Sequence, residues 1–219
     1  MAYTFNFRDV FAAKDALLDG LGLTLQLTAT TIVFGFIIGL GVAATAVYGP
    51  RWARRAAHAY VEVIRNTPLI VQLFIVFFGL PSIGIKLDVI TVATIGLAIN
   101  LAAYAAEIIR AGIESIPRSQ VEAGVSLGFT RAQIFRHVVL IPALRNVYPS
   151  LMSQFILLML ATSVASQIAA PELFYAGSII QSRTYRDFEV YTVIAIAYLV
   201  LTVCLRLLFG AVHRLAFRR

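Results

Sequence analysis

The chain has 219 residues, 60% of them hydrophobic and only 13% charged, with a mean hydropathy of +0.85. A water-soluble domain of this size needs far more polar surface, so that class is excluded. The formal charge of +7 sits in short basic clusters between long apolar runs. It therefore reports membrane topology and gives no reason to invoke nucleic acid.

In chain order, 31 uncharged residues separate Asp19 from Arg51, 20 separate Arg65 from Lys86, 18 separate Asp88 from Glu107 and 26 separate Arg145 from Glu172. A bilayer core of about 30 Å is crossed by about 20 residues of helix. A fifth run, Val190 to Leu205, continues past Arg206, which can snorkel to the headgroups. The expectation is an all-α polytopic membrane protein, one domain over 1–219, with spans near 21–48, 60–80, 89–113, 144–168 and 188–209.

The stretch before the first span, "FRDVFAAKDALLDG", carries three Asp and lacks a basic leader, so it does not read as a cleavable signal peptide. Gly35 and Gly39 in span 1 have the four-residue spacing that lets helices approach closely in lipid. Span 2 opens as an amphipathic stretch, "RWARRAAHAYVEVIR", and Pro68 is expected to disturb the helix that follows. The outer connection "PELFYAGSIIQSRTYRDFE" is long enough for a short helix against the membrane surface. Trp52, Tyr60, Tyr185 and Tyr191 fall near predicted interfaces. Cys204, the single cysteine, lies inside the last span and reads as small filler.

Basic residues set the orientation. With five spans, one face takes 13 of the 18 Lys and Arg and 4 of the 11 Asp and Glu. That face includes Arg51, Arg54, Arg55, Arg118, Arg131, Arg136 and the C-terminal arginines. The excess puts the C-terminus and the 109–136 segment in the cytoplasm and the N-terminus outside.

Residues for catalysis are not assembled. The three histidines, His58, His137 and His213, are far apart, and only His58 has an acidic neighbour at helical spacing, Glu62. That pair reads as a helix-surface contact, and no metal site is expected. "GVSLG", residues 124–128, fits the letters of a nucleophile elbow, but helices flank it where a strand is needed. Neither of the two lysines sits in a Gly-rich phosphate loop, so the chain is not expected to bind ATP, and no catalytic residue is assigned.

Between spans 3 and 4 lies the polar segment 117–137, "PRSQVEAGVSLGFTRAQIFRH". Ser119 with Glu122, and Thr130 with Gln133, each have the spacing of a capping box. Gly128 lies between them, where a helix end needs a left-handed residue. The segment reads as helix, glycine turn, helix; a well-capped solvated linker is the competing reading.

Here the residues carry a resemblance. "EAGVSLGFTRAQIFRHVVLIPALR" resembles the cytoplasmic EAA loop of permease subunits of bacterial ATP-binding-cassette importers. Glu122, Ala123 and Gly128 match that pattern; Gly124 stands where Ala is usual, and Pro142 comes one place later than expected because Ile141 follows Leu140. "VEVIRNTPLIVQLF", "AAYAAEIIRAGIESIPRSQ" and "YRDFEVYTVIAIAYLVLT" resemble the polar-amino-acid branch of the family, so the likeness covers nearly the whole chain in order.

The resemblance implies a cytoplasmic coupling helix formed around Ser119, Glu122, Ala123, Gly124, Gly128 and Thr130. It implies an ATPase dimer as partner, which uses ATP and Mg itself, a second permease subunit, identical or paralogous, and an extracytoplasmic amino-acid-binding protein. It places the chain in the bacterial inner membrane as a non-catalytic subunit. Many relatives carry Lys and then Asp or Asn where this chain has Leu160 and Ala161. Either a paralogous partner supplies those polar contacts or this half-site binds weakly.

Polar residues inside spans mark the expected pathway. Asn100, Tyr104 and Glu107 share one face of span 3, and Gln72 lies one turn beyond Pro68. In span 4, Gln154, Leu158, Thr162 and Ser166 form a four-residue row. Competing readings are an ion pair of Glu107 with Arg110 and helix-packing hydrogen bonds from Gln154 and Thr162. The rivals for the whole chain are an autonomous oligomeric channel or secondary carrier without an ATPase, and a membrane scaffold whose cytoplasmic helix only recruits a partner.

Overall fold

The computed structural model describes residues 4–216, and all regular structure among them is helical. The helices are α1 (Arg8–Ala12), α2 (Lys14–Tyr48), α3 (Arg51–Arg65), α4 (Leu69–Ser82), α5 (Val89–Glu114), α6 (Arg118–Ser126), α7 (Arg131–Gln133), α8 (Ile141–Ala161), α9 (Leu173–Thr184) and α10 (Asp187–Ala216). A π segment, Ile134–Leu140, joins α7 to α8, and a 3-10 segment, Thr162–Ile168, continues α8. Four stretches are long and apolar enough to cross a membrane: Lys14–Tyr48, Val89–Glu114, Arg131–Ile168 and Asp187–Leu215. The pair α3 and α4, bent by 106°, makes a fifth crossing if taken as one broken span.

Helix α5 is the hub. Leu97, Leu101, Ala102, Ala103, Ala105 and Ile109 are fully buried on it. Lipid tails are as apolar as leucine, so close packing rather than hydrophobic transfer must hold such helices together. Gly35 and Gly39 of α2 supply it, as their spacing predicts. A Cβ on Gly35 would lie 2.9 Å from Leu101 Cδ2, and one on Gly39 would lie 2.9 Å from the Ala102 carbonyl oxygen. Phe34, Ile37, Ile75, Phe78, Leu199 and Leu207 point outward instead, as lipid-facing side chains do.

The second span, expected over 60–80 with a disturbance at Pro68, is broken there. Helix α3 stops at Arg65, and α4 starts at Leu69. Pro68 has φ −63° and ψ 137°, lacks an amide hydrogen and disfavours helical geometry at Thr67. The broken ladder is repaired by a side chain: Gln72 Nε2 donates to the carbonyls of Ile64 (2.7 Å) and Thr67 (3.1 Å). Tyr60, expected at an interface, turns inward and donates from its hydroxyl to the Ile99 carbonyl at 2.6 Å.

The helix that carries the fourth span begins well before residue 144, because α7, the π segment and α8 are continuous from Arg131. Pro142 cannot donate to the carbonyl four residues back, and it stands just after the π segment, within the first turn of α8. The one-place displacement of the proline thus coincides with a segment that takes one extra residue per closure.

The expected outer helix is α9. Its N-cap, Glu172, is fully buried and accepts hydrogen bonds from the amides of Phe174 (2.9 Å) and Tyr175 (2.8 Å) and the hydroxyl of Tyr198 on α10 (2.7 Å). Thr24 of α2 accepts from the Leu173 amide at 3.2 Å. One buried junction thereby ties α2, α9 and α10. Gly177 permits α10 to approach, since a Cβ there would overlap Ile194 Cδ1 at 1.9 Å.

Candidate functional site

Two constellations stand out: the turn after α6 and the polar corner between α3, α4 and α5. The N-cap of α6 lies two residues before the expected Ser119. Pro117, in extended conformation, occupies the N-cap, no side chain caps the helix, and Ser119 lies within its first turn. Proline already fixes the entry dihedral, so the helix starts directly after it.

The far end follows the sequence closely. Gly128 has φ +78°. Its amide donates to the Val125 carbonyl at 2.9 Å, and the Phe129 amide donates to Gly124 at 3.1 Å. This is the paired closure of a Schellman turn. Thr130 then opens the next helix with a complete capping box: the Gln133 amide donates to Thr130 Oγ1 (3.3 Å), and the Thr130 amide donates to Gln133 Oε1 (2.9 Å). Gly124 faces inward, where a Cβ would sit 3.2 Å from Ile134 Cγ1, while Glu122 and Ala123 are exposed.

Three residues the sequence reading passed over complete this surface. Val125, Leu127 and Phe129 are 61%, 73% and 41% exposed. Apolar side chains this open, outside any span and on a turn closed at both ends, present a preformed contact surface. Their signal in the sequence is three large apolar residues at alternate positions in an otherwise polar loop.

At the corner, Asn100, Tyr104 and Glu107 do share a face of α5, turned toward α3 and α4. Asn100 Nδ2 donates to Gln72 Oε1 at 2.9 Å, so Gln72, already bonded across the break, has a structural task. Arg65 lies 5.4 Å from the centre of the Tyr104 ring. Glu107 is clamped by Arg110 through Nη2 at 2.6 Å and Nε at 3.1 Å, which bears out the ion-pair reading. Arg110 also holds Glu114 at 2.7 Å. The expected pairing of His58 with Glu62 is not formed; Glu62 Oε2 accepts from Asn66 Nδ2 at 3.1 Å, since Asn66 lies one turn on and reaches the same carboxylate.

The four-residue row of span 4 breaks. Gln154 is half-buried and Leu158 buried on α8, but the helix becomes 3-10 at Thr162. There the repeat is three residues, and Thr162, Ala165 and Ile168 are the buried positions. Thr162 Oγ1 donates to the Met159 carbonyl (2.7 Å), and Ser166 Oγ donates to Ser163 (2.7 Å), off the row. Both hydroxyls are thus occupied by their own helix. Among the described residues, no group of three or more His, Cys, Asp or Glu could hold a metal ion.

A helical bundle with a broken second span and a doubly closed turn between its third and fourth spans defines the class of multi-pass membrane proteins. Residues 23–219 match the family described as binding-protein-dependent transport system inner membrane component, and the chain belongs to that family. It is 37% identical over 186 residues to the protein named probable glutamine ABC transporter permease GlnM of Bacillus subtilis (strain 168), covering 85% of this chain and 86% of that one. It is 34% identical to the octopine transport system permease OccM of Rhizobium radiobacter, covering 89% and 83%. A solved structure, an amino acid ABC transporter with histidines, superposes with a TM-score of 0.87 at 38% identity, covering 97% of this chain and 99% of the other. The protein is therefore the multi-pass inner-membrane component of an importer of this class.

Proposed function

We infer that this chain forms one half of a pathway for an amino acid, opened and closed by an ATPase that docks on α6 and the Gly128 turn. The observation that carries this reading is the exposed trio Val125, Leu127 and Phe129 beside Glu122, on a helix–turn–helix closed at both ends. Surface polarity alone would serve a linker; an open apolar patch on a rigid turn serves a partner. A solute-binding protein delivers the amino acid at the outer face, and a second permease subunit, identical or paralogous, supplies the other half. ATP and Mg belong to the ATPase, and this subunit performs no catalysis.

The basic excess on the side of α6 supports a cytoplasmic C-terminus and an outer N-terminus. Relatives named for glutamine and for octopine support an amino-acid-like solute without fixing which. The polar corner of Asn100, Tyr104 and Glu107 is this chain's contribution to the pathway wall, whereas Leu160 and Ala161 offer no charge there. Gln154, Thr162 and Ser166 contribute packing.

The test is copurification of the tagged chain from native membranes with its ATPase. Leu127→Asp should weaken capture by about 30-fold or more, as loss of a central apolar anchor does. Glu122→Ala combined with Gly128→Leu should abolish it. A wild-type oligomer that takes up solute with no ATPase attached would replace this reading with an autonomous carrier.

A further inference from the structure

Where the first span ends, a groove of about 760 Å³ runs between the last turns of α2 and the segment formed by α6, α7 and the π helix. Ala44 and Tyr48 make one wall; Val125, Ala132, Phe135 and Val139 make most of the other. The Phe135 ring meets the Tyr48 ring edge-on, with centres 5.3 Å apart. Among the described residues, Arg131 is the one charged side chain on the lining. Tyr48 and Trp52, four residues apart across the turn from α2 to α3, are 56% and 75% exposed. Amphipathic rings settle at the level of lipid headgroups, so the groove opens beside them.

The charge around this opening has one sign. Arg51, Arg54 and Arg55 lie on the first turns of α3, directly after Tyr48, while Arg131 and Arg136 lie on the facing segment, and all five are exposed. The stretches 20–61 and 123–171, which supply all of the lining but Val121, contain no acidic residue. An apolar slot with a cationic rim at the membrane boundary complements a molecule with an apolar tail and an anionic head. The bilayer itself supplies such molecules. Leu127 and Phe129 do not line the groove, so it shares only Val125 with the patch assigned to the ATPase.

We propose that this groove seats one anionic phospholipid of the leaflet on the α6 side. An acyl chain lies along Ala44, Phe135 and Val139, and the phosphate sits at the rim formed by Arg51 and Arg131. The lipid thereby bridges the turn from α2 to α3 and the start of α7. The site requires only that the chain be embedded in a membrane, so it stands or falls independently of the ATPase.

Trp52 is the single tryptophan of the chain and reports on the mouth of the groove without a label. The full chain is reconstituted in two sets of vesicles with the same ratio of phosphatidylcholine to phosphatidylglycerol. Brominated acyl chains, which quench tryptophan on contact, are carried by phosphatidylglycerol in one set and by an equal number of phosphatidylcholine molecules in the other. Brominated phosphatidylglycerol should quench Trp52 more strongly. Arg131→Gln should lower that preference by about five-fold, the share of one arginine near an anionic headgroup. Ala132→Phe, at an exposed lining position, fills the groove with every charge kept and should erase the preference. Arg214→Gln, on α10 and off the lining, should leave it unchanged. Each variant is compared at a melting temperature matching wild type; where Ala132→Phe falls short of it, Ala44→Leu fills the groove from the other wall. Equal quenching by the two lipids overturns the proposal. So does a preference that survives the filled groove, or one that falls as far with Arg214→Gln as with Arg131→Gln, because either result describes a diffuse basic surface.

Discussion

Two helix-capping carboxylates, Asp88 and Glu172, do the same task with opposite consequences. Asp88 caps α5 in solvent, taking the Thr91 hydroxyl at 2.5 Å and the Thr91 amide at 3.0 Å, and these bonds hold its carboxyl below the ordinary range. Its contribution is therefore present at neutral pH and lost as pH falls through that lowered value. The stability gap between wild type and Asp88→Asn should close in acid, read as melting temperature against pH. Glu172 caps α9 in full burial, which pushes its carboxyl up against the pull of its hydrogen bonds. The charged form costs stability above the raised value, so wild type should gain on Glu172→Gln as pH falls. Glu172→Ala strands two amides and the Tyr198 hydroxyl, and should destabilise by about 3 kcal/mol or more in thermal unfolding.

Among the elements, the Gly128 turn and the broken span are the most exposed to single changes. Gly128→Val places a β-branched residue at φ +78° and should distort the turn at a cost of roughly 1–2 kcal/mol. Capture of the ATPase should fall while the bundle keeps its melting temperature. Gly124→Ala gains about 1 kcal/mol of helix propensity against a contact of 3.2 Å with the flexible end of Ile134, so copurification should be unchanged. Gln72→Ala leaves the Ile64 and Thr67 carbonyls and Asn100 without their partner. Loss of about 2 kcal/mol is expected, together with a loosened α3–α4 corner. Hydrogen exchange at residues 64–72 measures that loosening directly.

For the whole molecule, the seam between α2 and α5 is the contact the bundle cannot give up. Gly39→Leu drives a side chain into the Ala102 backbone and should prevent recovery of a monodisperse chain, since backbone cannot yield as a side-chain tip does. The helical class, the long apolar stretches, the Gly35–Gly39 seam, the Gly128 turn and the Thr130 box were all legible in the residues, because each rests on local chemistry or on a period within one element. Packing between helices settled that Tyr60 turns inward, that Gln72 repairs the break at Pro68, and that the Thr162 row changes period. Each of those depends on which groups neighbouring helices leave unsatisfied, a quantity no single stretch of chain carries.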